Sequence, residues 1–129
     1  MGKATLDRPL SSACTQRMRA IDDTLDLLSG KWKLALIARL CYQPMRYSAL
    51  LRDVPGLSGK VLSRELQDLE INGLIVRHVS ASKPLTVTYS ISDTGRSLKA
   101  LTDNLADWGL AHRARMMGTG GVSEVHSAV

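Results

Sequence analysis

The spacing of apolar residues changes abruptly at Gly73, and that change limits what this chain can build. Before it, Leu62, Leu66 and Leu69 recur at intervals of four and three, the mark of one face of an α-helix. After it, "LIVRHVS" and "LTVTYSIS" are rich in Val, Ile, Thr and Tyr and flank the polar "ASKP" of residues 81–84. Two strands joined as a hairpin are the natural reading. Asn72-Gly73 between them is a helix-stop signal. The chain therefore runs from a long helix straight into a small β element.

The remaining segments read as helices. Met18, Ile21, Leu25 and Leu28 form an apolar stripe on a first helix, which Ser29-Gly30 ends. "KWKLALIARLCY", residues 31–42, predicts a second, more buried helix, with Trp32, Leu36 and Leu40 on one face and Ile37 beside them. Gln43-Pro44 breaks it. "MRYSALLRDVPGLS", residues 45–58, predicts a short helix with Ser48 as its N-cap, then a tight turn at Pro55-Gly56. Ser58 is placed to cap the long helix. After the hairpin, Leu98, Leu101, Leu105 and Trp108 mark a final helix. Residues 1–13 lack periodicity and predict a flexible arm; residues 119–129 are Gly- and Ser-rich and predict a disordered tail. Residues 14–118 then make one domain with no linker, as a chain of 129 residues allows.

A short helix, a Pro-Gly turn and a longer helix with a polar outer face form a helix-turn-helix pattern. The hairpin that follows adds a wing. The predicted fold class is α+β, mostly α: a winged helix-turn-helix with flanking N- and C-terminal dimerisation helices. The recognition helix spans about residues 58–72 and the wing about residues 75–91. At about 100° per residue, Lys60, Ser63, Arg64 and Gln67 lie opposite the leucines. These residue types contact phosphates and base edges, and they sit in the first turns, the part of a recognition helix that enters the major groove. Ser58 and Arg46 join them as expected DNA contacts. Lys83, at the hairpin tip, is placed to reach a phosphate or a narrow minor groove. Glu65, Asp68 and Glu70 count against a uniform phosphate-binding face, and Ile71 falls on the outer side without an account.

The first and last helices each carry a three-four-three stripe, the spacing of a helix–helix seam. A small monomer has little else to cover them with, so a homodimer is expected. Two-fold symmetry would set two recognition helices one DNA turn (~34 Å) or a multiple apart, on double-stranded DNA with a pseudo-palindromic operator. The formal net charge of +5 suits a polyanionic partner.

"LDLLSGKWKLALIARL", "RYSALLRDVPGLSGKVLSRELQDLEINGLIVR" and "PLTVTYSISDTGRSL" with the later "LADWG" together resemble the HxlR-type winged helix-turn-helix transcription regulators, relatives of the MarR group. The likeness covers residues 25–109 and rests on Gly30-Lys31-Trp32, the leucine spacing of the long helix, the wing strand and the terminal Ala-Asp-Trp-Gly. It implies a homodimeric, cytoplasmic DNA-binding regulator that senses a chemical signal.

The resemblance also implies a cysteine just before the first helix, which some members use as a redox or electrophile sensor. Here that position falls near Arg19, and Cys14 lies upstream of it. Cys14 is the redox-sensing candidate, with Arg17 and Arg19 nearby to favour the nucleophilic thiolate. Cys41, ending an apolar helix, reads as a small core residue. Two alternatives stay open: control by a small-molecule ligand at the dimer interface, and a winged-helix module that binds protein instead of DNA.

Other classes find little support. His78, His112 and His126 lie on different elements, and no P-loop or dinucleotide glycine fingerprint occurs, so an enzyme is not expected. No cofactor is expected, and no metal, because closely spaced Cys and His ligands are lacking. No apolar run approaches the ~18–20 residues of a membrane span, and residues 1–13 lack the apolar stretch of a signal peptide. The expected location is the cytoplasm, with no membrane partner.

Overall fold

A computed structural model describes residues 7–118, and the chain divides into two compact units after Lys31. Among the described residues the first unit holds one helix, α1 (Ser12–Leu27). The Ser11 hydroxyl caps it by accepting the Cys14 N–H at 3.2 Å. The helix thus begins at Ser12, so Ser12 and Ala13 are helical where an arm through residue 13 was expected. The apolar stripe begins only at Met18, so no periodic signal marks this start. None of the helix's residues is buried, and Met18, Ile21 and Leu25 of the expected stripe are exposed.

The second unit contains α2 (Lys33–Tyr42), β1 (Met45–Arg46), α3 (Tyr47–Asp53), α4 (Gly59–Ile71), β2 (Ile75–Val79), β3 (Val87–Ile91), α5 (Asp93–Arg96) and α6 (Lys99–Met117). Its core is leucine-rich. Leu36, Ile37 and Leu40 of α2, Leu50 of α3 and Leu62, Leu66 and Leu69 of α4 are all but inaccessible. Apolar residues at helical spacing on three helices close over one another, and this burial is the main force holding the unit together. Cys41 is buried as a core residue.

The strands form one antiparallel sheet in the order β1-β3-β2. The hairpin pairs Ile75 with Ile91 and Val79 with Val87. Ile75, Tyr89 and Ile91 turn inward and seat the sheet on the helical core. The third strand was not expected: β1 pairs Met45 with Tyr89 and Arg46 with Thr88, and two residues are too few to show a period. Its presence also moves the start of the short helix. Arg46 is extended because it pairs with β3, so α3 begins at Tyr47 and Ser48 lies within it; no side chain caps this helix. Likewise α2 begins at Lys33, with Trp32 at its cap position.

Two junctions fix the wing to α4. Asn72 and Gly73 close the helix: Gly73 takes φ 72°, its N–H donates to Glu70 O at 3.0 Å, and the Leu74 N–H donates to Leu69 O at 3.0 Å. This is a Schellman cap, whose left-handed position favours glycine. At the far end of the hairpin, the Ser92 hydroxyl donates to Gly73 O at 2.7 Å and accepts the Gly95 N–H at 2.9 Å, while the Ser92 N–H donates to Leu74 O at 3.1 Å. Gly95 is buried against Leu74, where a Cβ would run into the Leu74 carbonyl oxygen. Along α6 no residue is buried, and Leu101, Leu105, Trp108 and Met116 stand exposed. Among the described residues no helix is long and apolar enough to cross a membrane.

Candidate nucleic-acid interface

Helix α4 has two opposed faces. Its leucines face the core, while Lys60, Ser63, Arg64 and Gln67 are exposed together on the other side. Ser58 starts the helix, its hydroxyl accepting the Val61 N–H at 3.2 Å. Lys60, Arg64 and Gln67 make no side-chain ion pair or hydrogen bond among the described residues. Ser63 differs: its Oγ lies 3.0 Å from Tyr47 Oη, which is also 2.8 Å from Gly59 O. The packing is close, since a Cβ on Gly59 would sit 3.2 Å from that phenolic oxygen.

The acidic residues of this helix are placed differently from their sequence reading. Glu65 is buried, its Oε1 2.7 Å from Lys33 Nζ, and Asp68 Oδ2 lies 3.4 Å from the same ammonium. The hydrogen bond from Lys33 to Glu65 raises the lysine's pKa, against the opposing effect of burial. Two of the three carboxylates that weighed against an anion-binding face are thereby held by Lys33. Glu70 stays exposed, as does Ile71, which the hairpin does not cover.

Beside α4, the start of α3 and the inner side of the wing border an open cleft of about 470 Å³. Arg46 and Arg77 flank it, with Leu85, Val87 and Tyr89 supplying apolar surface. Both arginines are exposed, so cationic groups stand on β1 and β2 beside this cleft. Lys83 is exposed in the loop between β2 and β3. Sequence reasoning had not counted Tyr47 and Lys33 among the residues that shape this surface, had weighed Glu65 against it, and had not singled out Arg77 as a contact. A signal for Glu65 was present: it stands three residues after Leu62 and four before Leu69, inside the leucine sector.

Cys14 is exposed in the first turn of α1. Arg17 follows it at the i+3 position, whereas Arg19 lies about 140° round the helix from Cys14. Burial raises the pKa of Cys41, keeping it a thiol. Among the described residues no three His, Cys, Asp or Glu side chains converge as metal ligands.

Comparison with known proteins agrees with this geometry. The HxlR-like helix-turn-helix family matches residues 27–117. The uncharacterized HTH-type transcriptional regulator YdzF of Bacillus subtilis is 41% identical over 103 residues, covering 79% of this chain and 94% of that one. The crystal structure of the HTH-type regulator YtcD superposes with a TM-score of 0.67 at 37% identity, over 71% of this chain and 94% of the other. The redox regulator HypR in its reduced form gives a TM-score of 0.69 at 30% identity, over 73% and 93%. A helix-turn-helix followed by a wing, matched along most of its length by transcription regulators, places this chain in the HxlR-like helix-turn-helix family.

Proposed function

We propose that the chain reads a specific double-stranded DNA sequence through α4, as a homodimer in the cytoplasm, and that a chemical signal reaching Cys14 alters its grip. The observation that carries the reading is the outward face of α4: Lys60, Arg64 and Gln67 stand exposed, without side-chain partners among the described residues, over a helix whose opposite side is anchored by leucines. Arg and Lys pair with guanine or phosphate, and Gln with adenine. Arg46 and Lys83 extend the cationic surface toward the flanking backbone. Self-association is favoured by the apolar residues Met18, Ile21 and Leu25 of α1 and Leu101, Leu105 and Trp108 of α6, which stand exposed, while Leu28 at the end of the first stripe is buried. A two-fold dimer would favour a pseudo-palindromic operator.

The test is a footprint on the DNA next to the protein's own gene, repeated with Lys60→Ala and Arg64→Ala. Losing a base-reading arginine costs about 1–3 kcal/mol and relaxes one position. Losing a phosphate-binding lysine weakens all sequences alike and lowers the salt slope by about one. Specific binding undiminished by either change overturns the assignment of this face.

The signalling part rests on the exposure of Cys14 and on the likeness to HypR, a redox regulator solved in reduced and oxidized forms. Diamide takes two electrons and two protons from two thiols as they join in a disulfide, here Cys14 of two copies. Operator binding by Cys14→Ser that responds to diamide as the unmodified protein does would remove Cys14 from the mechanism.

A further inference from the structure

The hydroxyls under the outward face of α4 have a defined hydrogen-bond direction. Tyr47 Oη lies 2.8 Å from Gly59 O and 3.0 Å from Ser63 Oγ. A backbone carbonyl only accepts, so the one phenolic proton is donated to Gly59 O. Tyr47 Oη therefore meets Ser63 with a lone pair, and the Ser63 hydroxyl donates to it. A helical serine often donates instead to the carbonyl four residues back, but for Ser63 that carbonyl is Gly59 O, which Tyr47 already engages. With its single proton committed inward, Ser63 presents only acceptor lone pairs to solvent.

Resting on the DNA-reading proposal above, we infer that Ser63 is a specificity-determining residue that accepts from an exocyclic amino group of a base, adenine N6 or cytosine N4, with Tyr47 as the positioning residue that sets this polarity. In the major groove every base pair shows one such amino group, on adenine or cytosine, and a keto oxygen on its partner. An acceptor-only side chain therefore reads which strand carries the amino base. It selects A or C over T or G on the strand it faces. A serine with a free proton contacts either kind of group and selects neither. The contact with Tyr47 turns a permissive residue into a selective one.

The experiment measures binding of the full chain to duplexes in which each base pair of the footprint is inverted in turn. At one position per half-site, inversion from amino to keto weakens the unmodified protein roughly three- to tenfold, the effect of one neutral hydrogen bond. Tyr47→Phe releases the Ser63 proton and flattens that preference to under about twofold, with other positions unchanged. Ser63→Ala flattens the same position; its side chain is exposed, so this variant reports even if Tyr47→Phe unfolds. Arg64→Ala leaves the preference in place. A preference that survives Tyr47→Phe in a folded protein, or survives Ser63→Ala, overturns the inference. A profile flat at every position in the unmodified protein overturns the DNA-reading proposal beneath it.

Discussion

Lys33 Nζ stands 2.7 Å from Glu65 Oε1, joining the start of α2 to the inner face of α4 across 32 residues of sequence. Both side chains are withdrawn from water, so each makes the other's burial tolerable. Lys33→Met leaves the Glu65 carboxylate without its cation and costs roughly 3 kcal/mol, at the low end for a broken buried pair because half-exposed Asp68 keeps water near. The double variant Lys33→Met with Glu65→Leu recovers most of that loss. Urea unfolding of the three proteins checks this; equal stability of the single and double variants would refute the coupling.

The same pair gives stability a pH dependence with a fixed sign. The hydrogen bond to Glu65 holds Lys33 above its ordinary value of 10.5 in the folded protein. The folded value exceeds the unfolded one, so the contribution is complete below about pH 10.4 and fades as pH rises through the raised folded value. The stability gap between the unmodified protein and the double variant should hold constant from neutral pH to about pH 10 and shift only above it. A gap that changes between about pH 7 and pH 9 would contradict the assignment.

Gly95 has no room for a side chain. A Cβ there would meet the Leu74 carbonyl and lie 2.7 Å from Ile91 Cδ1. The carbonyl is backbone held by Ser92 and cannot swing aside. Gly95→Ala should destabilise by at least about 2 kcal/mol, read by thermal or urea unfolding. Gly109, where an added Cβ meets nothing within 4 Å, is the control position for the same substitution.

Leu105 tests self-association. It is exposed on α6, a helix with no buried residue, so Leu105→Glu removes nothing from the core. Its expected effect is to weaken dimerisation at least about tenfold, or 1.4 kcal/mol, with the unfolding transition of the monomer preserved. Sedimentation across a range of concentrations measures it. An unmodified protein that stays monomeric throughout, or a variant that dimerises as before, sinks the seam.

Legibility of the sequence follows the range of the interactions. Leu62, Leu66 and Leu69 repeat within a few residues, so the buried side of α4 and, by exclusion, its exposed side were readable. The change to Val, Ile and Thr after Gly73 announced the hairpin, and the Schellman glycine marked the boundary. Strand β1 was hidden because two residues have no period, and the cap position of α3 was misplaced with it. Lys33 was hidden for another reason: a lysine in "KWK" reads as surface, and its pairing with Glu65, whose place in the leucine sector was legible, exists only once α2 and α4 are packed. Tyr47 is the same case, since its partners Gly59 and Ser63 lie 12 and 16 residues away.

The knot of hydrogen bonds at Ser92 has a mechanical consequence. It fastens the returning strand of the hairpin to the residues that end α4, so helix and wing are held as one unit, and the two duplex contacts proposed for them would not be adjusted separately. In the proposed dimer such a unit would act as one jaw of a caliper: a signal would tune the hold on DNA by changing the gap between two jaws, with the shape of each left as folded.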